Sequence, residues 1–249
     1  MRRDAEAISE AVIRKTMRFV PIKTAEQQAA AMVLKTRALL VRQRTQAVNA
    51  LRAHLAVLGI IGTAGAAKVE ALISIVRDET DARLPAAARF ALMAIADVIH
   101  ASADQIDGLE HAIVVEAKRD EDMRRLITIP GIGAITAATI KALVPDPSGL
   151  LTPRSQSSGG KERLGRISKM GNPELRALLV VGANAVLRVA RNDTRTRPCR
   201  PWRALLARRP FQVAAVAQVN KTARIIWALL NQGGTYRRAA PLAISAVAV

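Results

Sequence analysis

From Thr152 to Asn172 the chain reads Thr-Pro-Arg-Ser-Gln-Ser-Ser-Gly-Gly-Lys-Glu-Arg-Leu-Gly-Arg-Ile-Ser-Lys-Met-Gly-Asn, a stretch that interleaves hydroxyls, glycines and five cations. Glycine lets a backbone come close to a ligand, Arg offers two parallel N–H donors to a phosphate, and Lys supplies a point charge. These residue types suit a phosphodiester. One serine could attack phosphorus while the cations Arg154, Lys161, Arg163, Arg166 and Lys169 stabilise charge on the five-coordinate state. The stretch is not a Walker-type nucleotide loop. Ser155 stands where that loop needs its first glycine, and Glu162 follows Lys161 where Ser or Thr is required.

A second candidate lies upstream, at Ile129-Pro130-Gly131-Ile132-Gly133. A turn of this kind between two helices lets Gly131 and Gly133 take positive φ and exposes N–H groups at the start of the next helix. Such groups, with the helix dipole, bind a phosphate oxygen without reading a base. The expectation is a helix-hairpin-helix contact to double-stranded DNA. Stacking on single strands needs aromatics among the cations. The last hundred residues offer only Trp202, Phe211, Trp227 and Tyr236, at spacings that suit helix cores.

Charge points the same way. Of the formal +18, residues 1–150 carry +3 and residues 151–249 carry +15, the latter from 18 Lys or Arg against 3 Asp or Glu. A field that strong and that localised attracts a polyanion, with counterion release supplying most of the affinity. The cations do not form one amphipathic helix with a bulky aromatic face, and no run of about 18 uncharged apolar residues occurs, so no membrane partner is expected. Cys199 is the single cysteine, and His54, His100 and His111 are scattered, which excludes a disulfide framework and a zinc-ligand spacing. With no apolar signal core after Met1, the expected location is cytoplasmic, at the nucleoid.

The elements that must position these stretches are helical. The chain of 249 residues is half apolar but only 2% aromatic, so Ala, Leu, Val and Ile fill helix-on-helix contacts and the class is mostly α. A short helix over Asp4–Lys15 should break before Phe19-Val20-Pro21-Ile22. Thr24, with Gln27 three positions on, caps a long helix to about Leu58, with Leu34, Val41, Val48 and Leu55 at a heptad interval and Ala38 and Leu51 widening the stripe. Its partner is the stretch from Pro85 to about Lys118. Between them lie a loop over Gly59–Gly65, a helix over Ala66–Arg77 and a solvated acidic turn at Asp78-Glu79-Thr80-Asp81, read as surface rather than a metal site. Helices are expected at Arg124–Ile129, Ala134–Leu143, Pro173–Arg191 (capped by Asn172), Trp202–Arg208 and Phe211–Leu230, with residues 149–172 irregular.

The motifs Ile129-Pro130-Gly131-Ile132-Gly133, Leu151-Thr152-Pro153-Arg154, Ser157-Ser158-Gly159-Gly160-Lys161, Gly165-Arg166-Ile167-Ser168-Lys169 and Gly171-Asn172, in this order, resemble one family of insertion-sequence transposases. It is the DEDD-type recombinases related to the pilin-gene invertase and guided by a bridge RNA. Phe19-Val20-Pro21-Ile22-Lys23 and Asn220-Lys221-Thr222-Ala223-Arg224 resemble it too, so the likeness covers residues 1–238. The resemblance implies a RuvC-like domain holding Mg²⁺ through four acids, a coiled-coil middle and a carboxy-terminal domain with a nucleophilic serine. Ser158 matches the nucleophile, with Ser157 the fallback, and Asp4 matches the fourth acid as catalytic metal ligand.

Two departures qualify it. Met1 stands where the third acid belongs, and an aromatic-bearing stretch before Leu151 is missing at Ser148-Gly149. One carboxylate holds Mg²⁺ poorly. The resulting expectation is a remnant of the catalytic domain at 1–22, a helical coiled-coil region at 23–120, the carboxy-terminal transposase domain at 121–238 and a loose tail at 239–249. The implied function is DNA transposition by a truncated, inactive copy. The alternative is a non-catalytic DNA-binding module, acting alone or with an intact transposase. Expected partners are double-stranded DNA, a structured guide RNA, and a homo- or hetero-oligomer formed through the long helices.

Overall fold

Thr24 opens the longest helical pair. Its hydroxyl accepts from the Gln27 N–H at 3.2 Å while the Gln27 side chain accepts from the Thr24 N–H at 3.1 Å, the reciprocal cap read from the sequence. The computed structural model describes residues 2–13, 22–63, 65–144, 155–158, 161–164, 172–192 and 200–236. From Thr24 α2 runs over Ala25–Val57, after α1 at Arg2–Ile13. Then come α3 (Ala66–Arg77), α4 (Ala86–Arg119), α5 (Glu121–Ile127) and α6 (Ala134–Leu143). A two-stranded antiparallel ribbon, β1 (Ser155–Ser158) and β2 (Lys161–Leu164), precedes α7 (Pro173–Asn192), α8 (Arg200–Arg208) and α9 (Phe211–Gln232). The fold is mostly α, as expected.

The helices α2 and α4 pack antiparallel. Leu34 meets Ile113 at one end, and Leu51 and Leu55 share a cluster with Leu92 and Ala96 at the other. Leu51 and Leu55 are fully buried, each contributing about 1.5–3 kcal/mol. The other positions of the expected seam, Ala38, Val41 and Val48, are half-buried, and Arg37 Nε spans the pair to Glu110 Oε1 at 2.9 Å. By length and composition alone α4 could cross a membrane, its most apolar window averaging 1.3 in hydropathy. It contains no uncharged apolar run of that length, because Arg89 and Asp97 interrupt it. Its buried side chains Leu92, Ala96, Ile99, Ile113 and Ala117 join the clusters between helices.

The acidic turn between α3 and α4 is a structural clasp. Arg89 Nη1 donates to the Val76 carbonyl at 2.8 Å and also to Asp78 O, and Nη2 donates to Asp81 O at 2.6 Å. The Asp81 carboxylate accepts from Arg83 Nε at 2.9 Å.

Packing runs across residue 120. Ala142 of α6 joins Ala31 and Leu34 of α2 and Ile113 of α4 in one cluster, and Ala117 of α4 lies in the core of the next. That second core gathers Met123, Leu126, Ile129, Ile132, Ile140, Leu175, Leu179 and Ile226 from α5, the turn, α6, α7 and α9. A third holds Leu187, Trp202, Ala214 and Ala215. The expected break at Phe19-Val20-Pro21 and the tail 239–249 lie outside the described residues.

Candidate nucleic-acid interface

Local chemistry builds the turn before α6. Asp120 caps α5, accepting from the Met123 N–H at 2.8 Å, and the same carboxylate pairs with Lys141 of α6, so one acid ties both helices. Glu121 and Asp122 stand in the first turn of α5 and Arg124 and Arg125 in the last, where each complements the dipole. Ile129 and Ile132 are buried on either side of the bend, and Ile132 N–H donates to Ile129 O at 3.0 Å.

The two glycines of this turn differ in role. Gly131 sits at φ +89, and a Cβ there would stand 2.8 Å from the Gly182 carbonyl oxygen and 3.1 Å from Val186 Cγ2. Its first duty is to let the turn lie against the middle of α7. Gly133 does not take the positive φ expected of it. It is exposed, with φ −97 and nothing within 4 Å of an added Cβ. It caps α6 without a side-chain hydrogen bond, so the first-turn N–H groups are left to an outside acceptor. Gly182 was the legible signal. A glycine on the apolar face of a helix marks a close backbone approach.

The stretch read as irregular is partly a hairpin. Its register pairs Ser158 with Lys161, Ser157 with Glu162, Gln156 with Arg163 and Ser155 with Leu164. Residues opposite one another in an antiparallel ladder share a face, and alternate residues share it too. Positions 156, 158, 161 and 163 therefore fall on one face, which places Ser158 with Lys161 and Arg163. Ser157 falls on the other with Glu162. The two residues between the strands are glycines in the sequence, the type that two-residue hairpin connections favour. Four-residue polar strands carry no apolar alternation, which is why the pattern hid them. Arg154, Arg166 and Lys169 lie outside the described residues. Downstream, Asn172 Oδ1 accepts from the Glu174 and Leu175 N–H groups at 2.9 and 3.1 Å, the cap expected for α7.

Asp4 falls within α1. Among the described residues no three His, Cys, Asp or Glu side chains gather as a metal site. A hard divalent cation needs several oxygen ligands. The described residues offer no set of that kind for Mg²⁺.

A cationic surface was missing from the candidate residues. Exposed Arg188, Arg191, Arg208, Arg209, Lys221 and Arg224 lie on α7, on α9 and at the end of α8, while residues 172–192 and 200–236 contain one acid, Glu174. The Arg191 guanidinium stands over the Phe211 ring, 5.9 Å from its centroid. The signal was the absence of acids after Asp193, visible without any motif.

Residues 123–197, the turn, ribbon and α7 together, match the family described as Transposase IS116/IS110/IS902. The chain is 41% identical over 246 residues to a Pseudomonas aeruginosa protein named as a family 20 transposase, covering 94% of this chain and 72% of that one. It is 39% identical over 249 residues to the transposase for insertion sequence element IS1111A of Coxiella burnetii, covering 95% and 68%. A Sinorhizobium fredii protein with the transposase designation y4pF/y4sB is 40% identical over 248 residues, and there the chain spans 63% of the relative's length.

Proposed function

Because the chain belongs to the IS116/IS110/IS902 family of transposases, we propose that it grips duplex DNA during insertion-sequence transposition and offers the backbone a serine hydroxyl. The observation that carries this reading is the ribbon register, in which the Ser158 position shares a face with Lys161 and Arg163. Cations beside a hydroxyl hold a phosphodiester and offset the charge that grows on its oxygens. In the step, Ser158 Oγ forms a bond to phosphorus as the bond to one deoxyribose oxygen breaks. The displaced sugar oxygen leaves as a hydroxyl, carrying a proton, and the protein keeps a phosphoserine link to DNA. A phosphate brought to Ser157 would instead meet the like charge of Glu162, which lies opposite in the ladder.

The open N–H groups at Gly133 supply a second phosphate contact that reads no base. A structured guide RNA, implied by the family resemblance, presents the same backbone chemistry. The long helices α2 and α4 leave Leu39, Val98 and Val114 exposed and are the surface for another copy or an intact relative.

A second reading, a DNA-binding module without catalysis, is favoured by one observation. The described residues supply no ligand set for the Mg²⁺ that the resemblance implies. One experiment separates the two. The chain is incubated with labelled element-end DNA and Mg²⁺, and a covalent protein–DNA adduct is sought on denaturing gels. An adduct lost in Ser158→Ala and kept in Ser157→Ala supports catalysis. Salt-sensitive binding with no adduct in either protein supports the binding module.

A further inference from the structure

The Asn220-Lys221-Thr222-Ala223-Arg224 segment takes no part in the ribbon or the turn. It lies in the middle of α9, and the helix divides it by face. Gln218 and Thr222 are buried, and the Gln218 amide donates to Thr222 Oγ1 at 3.2 Å. Gln218 Oε1 in turn accepts from the Trp202 indole N–H of α8 at 2.8 Å. This buried chain ties α8 to α9 and sets the rotation of α9 about its own axis.

With that rotation set, Ala217, Lys221 and Arg224 are exposed and Asn220 is half-buried. The four recur at the i, i+3, i+4, i+7 positions of one helix face, a stripe about 10 Å long at 1.5 Å per residue. Ala217 ends the stripe with a methyl group, so no bulky side chain stands between the cations and an approaching backbone on that side. Among the described residues neither Lys221 nor Arg224 enters an ion pair, whereas Arg37, Arg83, Arg125 and Lys141 each have a carboxylate. No acid occurs anywhere in residues 200–236 to answer these charges. Two cations beside an amide, with no carboxylate near in sequence, form a donor-rich strip of the kind that binds phosphate oxygens. Trp227 is the one aromatic bordering the strip, too few for a stacking track along a single strand.

We propose that the outward face of α9, carrying Asn220, Lys221 and Arg224 beside Ala217, docks on the phosphate backbone of duplex DNA as a contact separate from the ribbon. Trp202, Gln218 and Thr222 are the positioning residues behind it. The proposal rests on the reading that the chain handles DNA, and extends it to a second surface.

The test measures binding of the full chain to a fluorescein-labelled duplex by anisotropy, over about 50–200 mM salt. Each phosphate contact removed makes the slope of log K against log salt shallower by about 0.9, so Lys221→Gln with Arg224→Gln should flatten it by about 1.8. The charge-matched pair Lys68→Gln with Arg77→Gln, exposed on α3, should leave it unchanged. A slope equal to wild type in the α9 variant, or an equal flattening in the α3 variant, overturns the proposal. So does a loss of binding seen only with an RNA hairpin. If Lys161→Gln with Arg163→Gln weakens binding and the α9 variant does not, the α9 contact falls and the ribbon stands. If the wild-type chain binds no duplex, both fall.

Discussion

The backbones of Gly131 and Gly182 touch: a Cβ built on Gly182 would overlap the Gly131 carbonyl oxygen. Two glycines 51 residues apart thus seat the turn before α6 on the middle of α7. The chain between them, the ribbon included, leaves from this contact and returns to it.

Gly182→Ala should therefore destabilise the fold. Alanine would ordinarily favour a helix interior over glycine by about 1 kcal/mol. Here the added methyl group meets a carbonyl that cannot swing aside, and overpacking of this kind costs about 1–3 kcal/mol net. Gly131→Ala adds strain at positive φ to a similar clash. Gly133→Ala meets nothing and should cost less than about 1 kcal/mol, the loss of a good cap residue. Urea unfolding of the three variants checks the order.

Gln218→Ala should cost about 2–3 kcal/mol. It removes the Gln218 acceptor of the buried Trp202 indole N–H and opens a cavity beside Thr222. Thermal melts followed by circular dichroism report the loss. Trp202 fluorescence should shift to longer wavelength as water reaches the indole.

Across the ribbon, charge changes should act with opposite signs. Arg163→Gln weakens duplex binding, because its position shares a face with Ser158. Glu162→Gln removes a carboxylate and should tighten binding by less than about fivefold, the scale of an exposed charge pair. Anisotropy titrations at fixed salt distinguish them. Equal effects in both variants would contradict the register.

The clasp at the α3–α4 turn has a pH signature. Hydrogen bonds from the Arg83 side chain and then its backbone N–H hold the Asp81 carboxyl down from 3.8 to about 2. A depressed carboxylate stabilises the fold above its unfolded pKa, and that contribution disappears as pH falls from about 4 through 2. A carbon-13 titration of Asp81 should show a midpoint near 2, returning toward 3.8 in Arg83→Ala.

Much of this molecule was legible because it is local. The Thr24–Gln27 box, the Asn172 cap with Pro173 behind it, and the ends of α3 and α6 each depend on residues within four positions, so spacing alone reveals them. The acid-free run after Asp193 is likewise a property of the chain. Trp202 was rightly read as core, but Trp227, read the same way, is 38% exposed. That difference is tertiary, since α9 turns the face that Gln218 and Thr222 anchor toward α8.

What the chain could not announce are the meetings of distant residues. Nothing in the residues around Gly131 says that Gly182 will lie against it. Ser157 and Ser158 are neighbours of identical chemistry, and only a pairing register assigns one to Lys161 and the other to Glu162. Nothing in 23–120 or 121–238 says that Ala142 will close on Ala31 and Leu34. Hydrogen bonds within a turn are written into adjacent residues, whereas packing between elements is settled only when the whole core closes and excludes water.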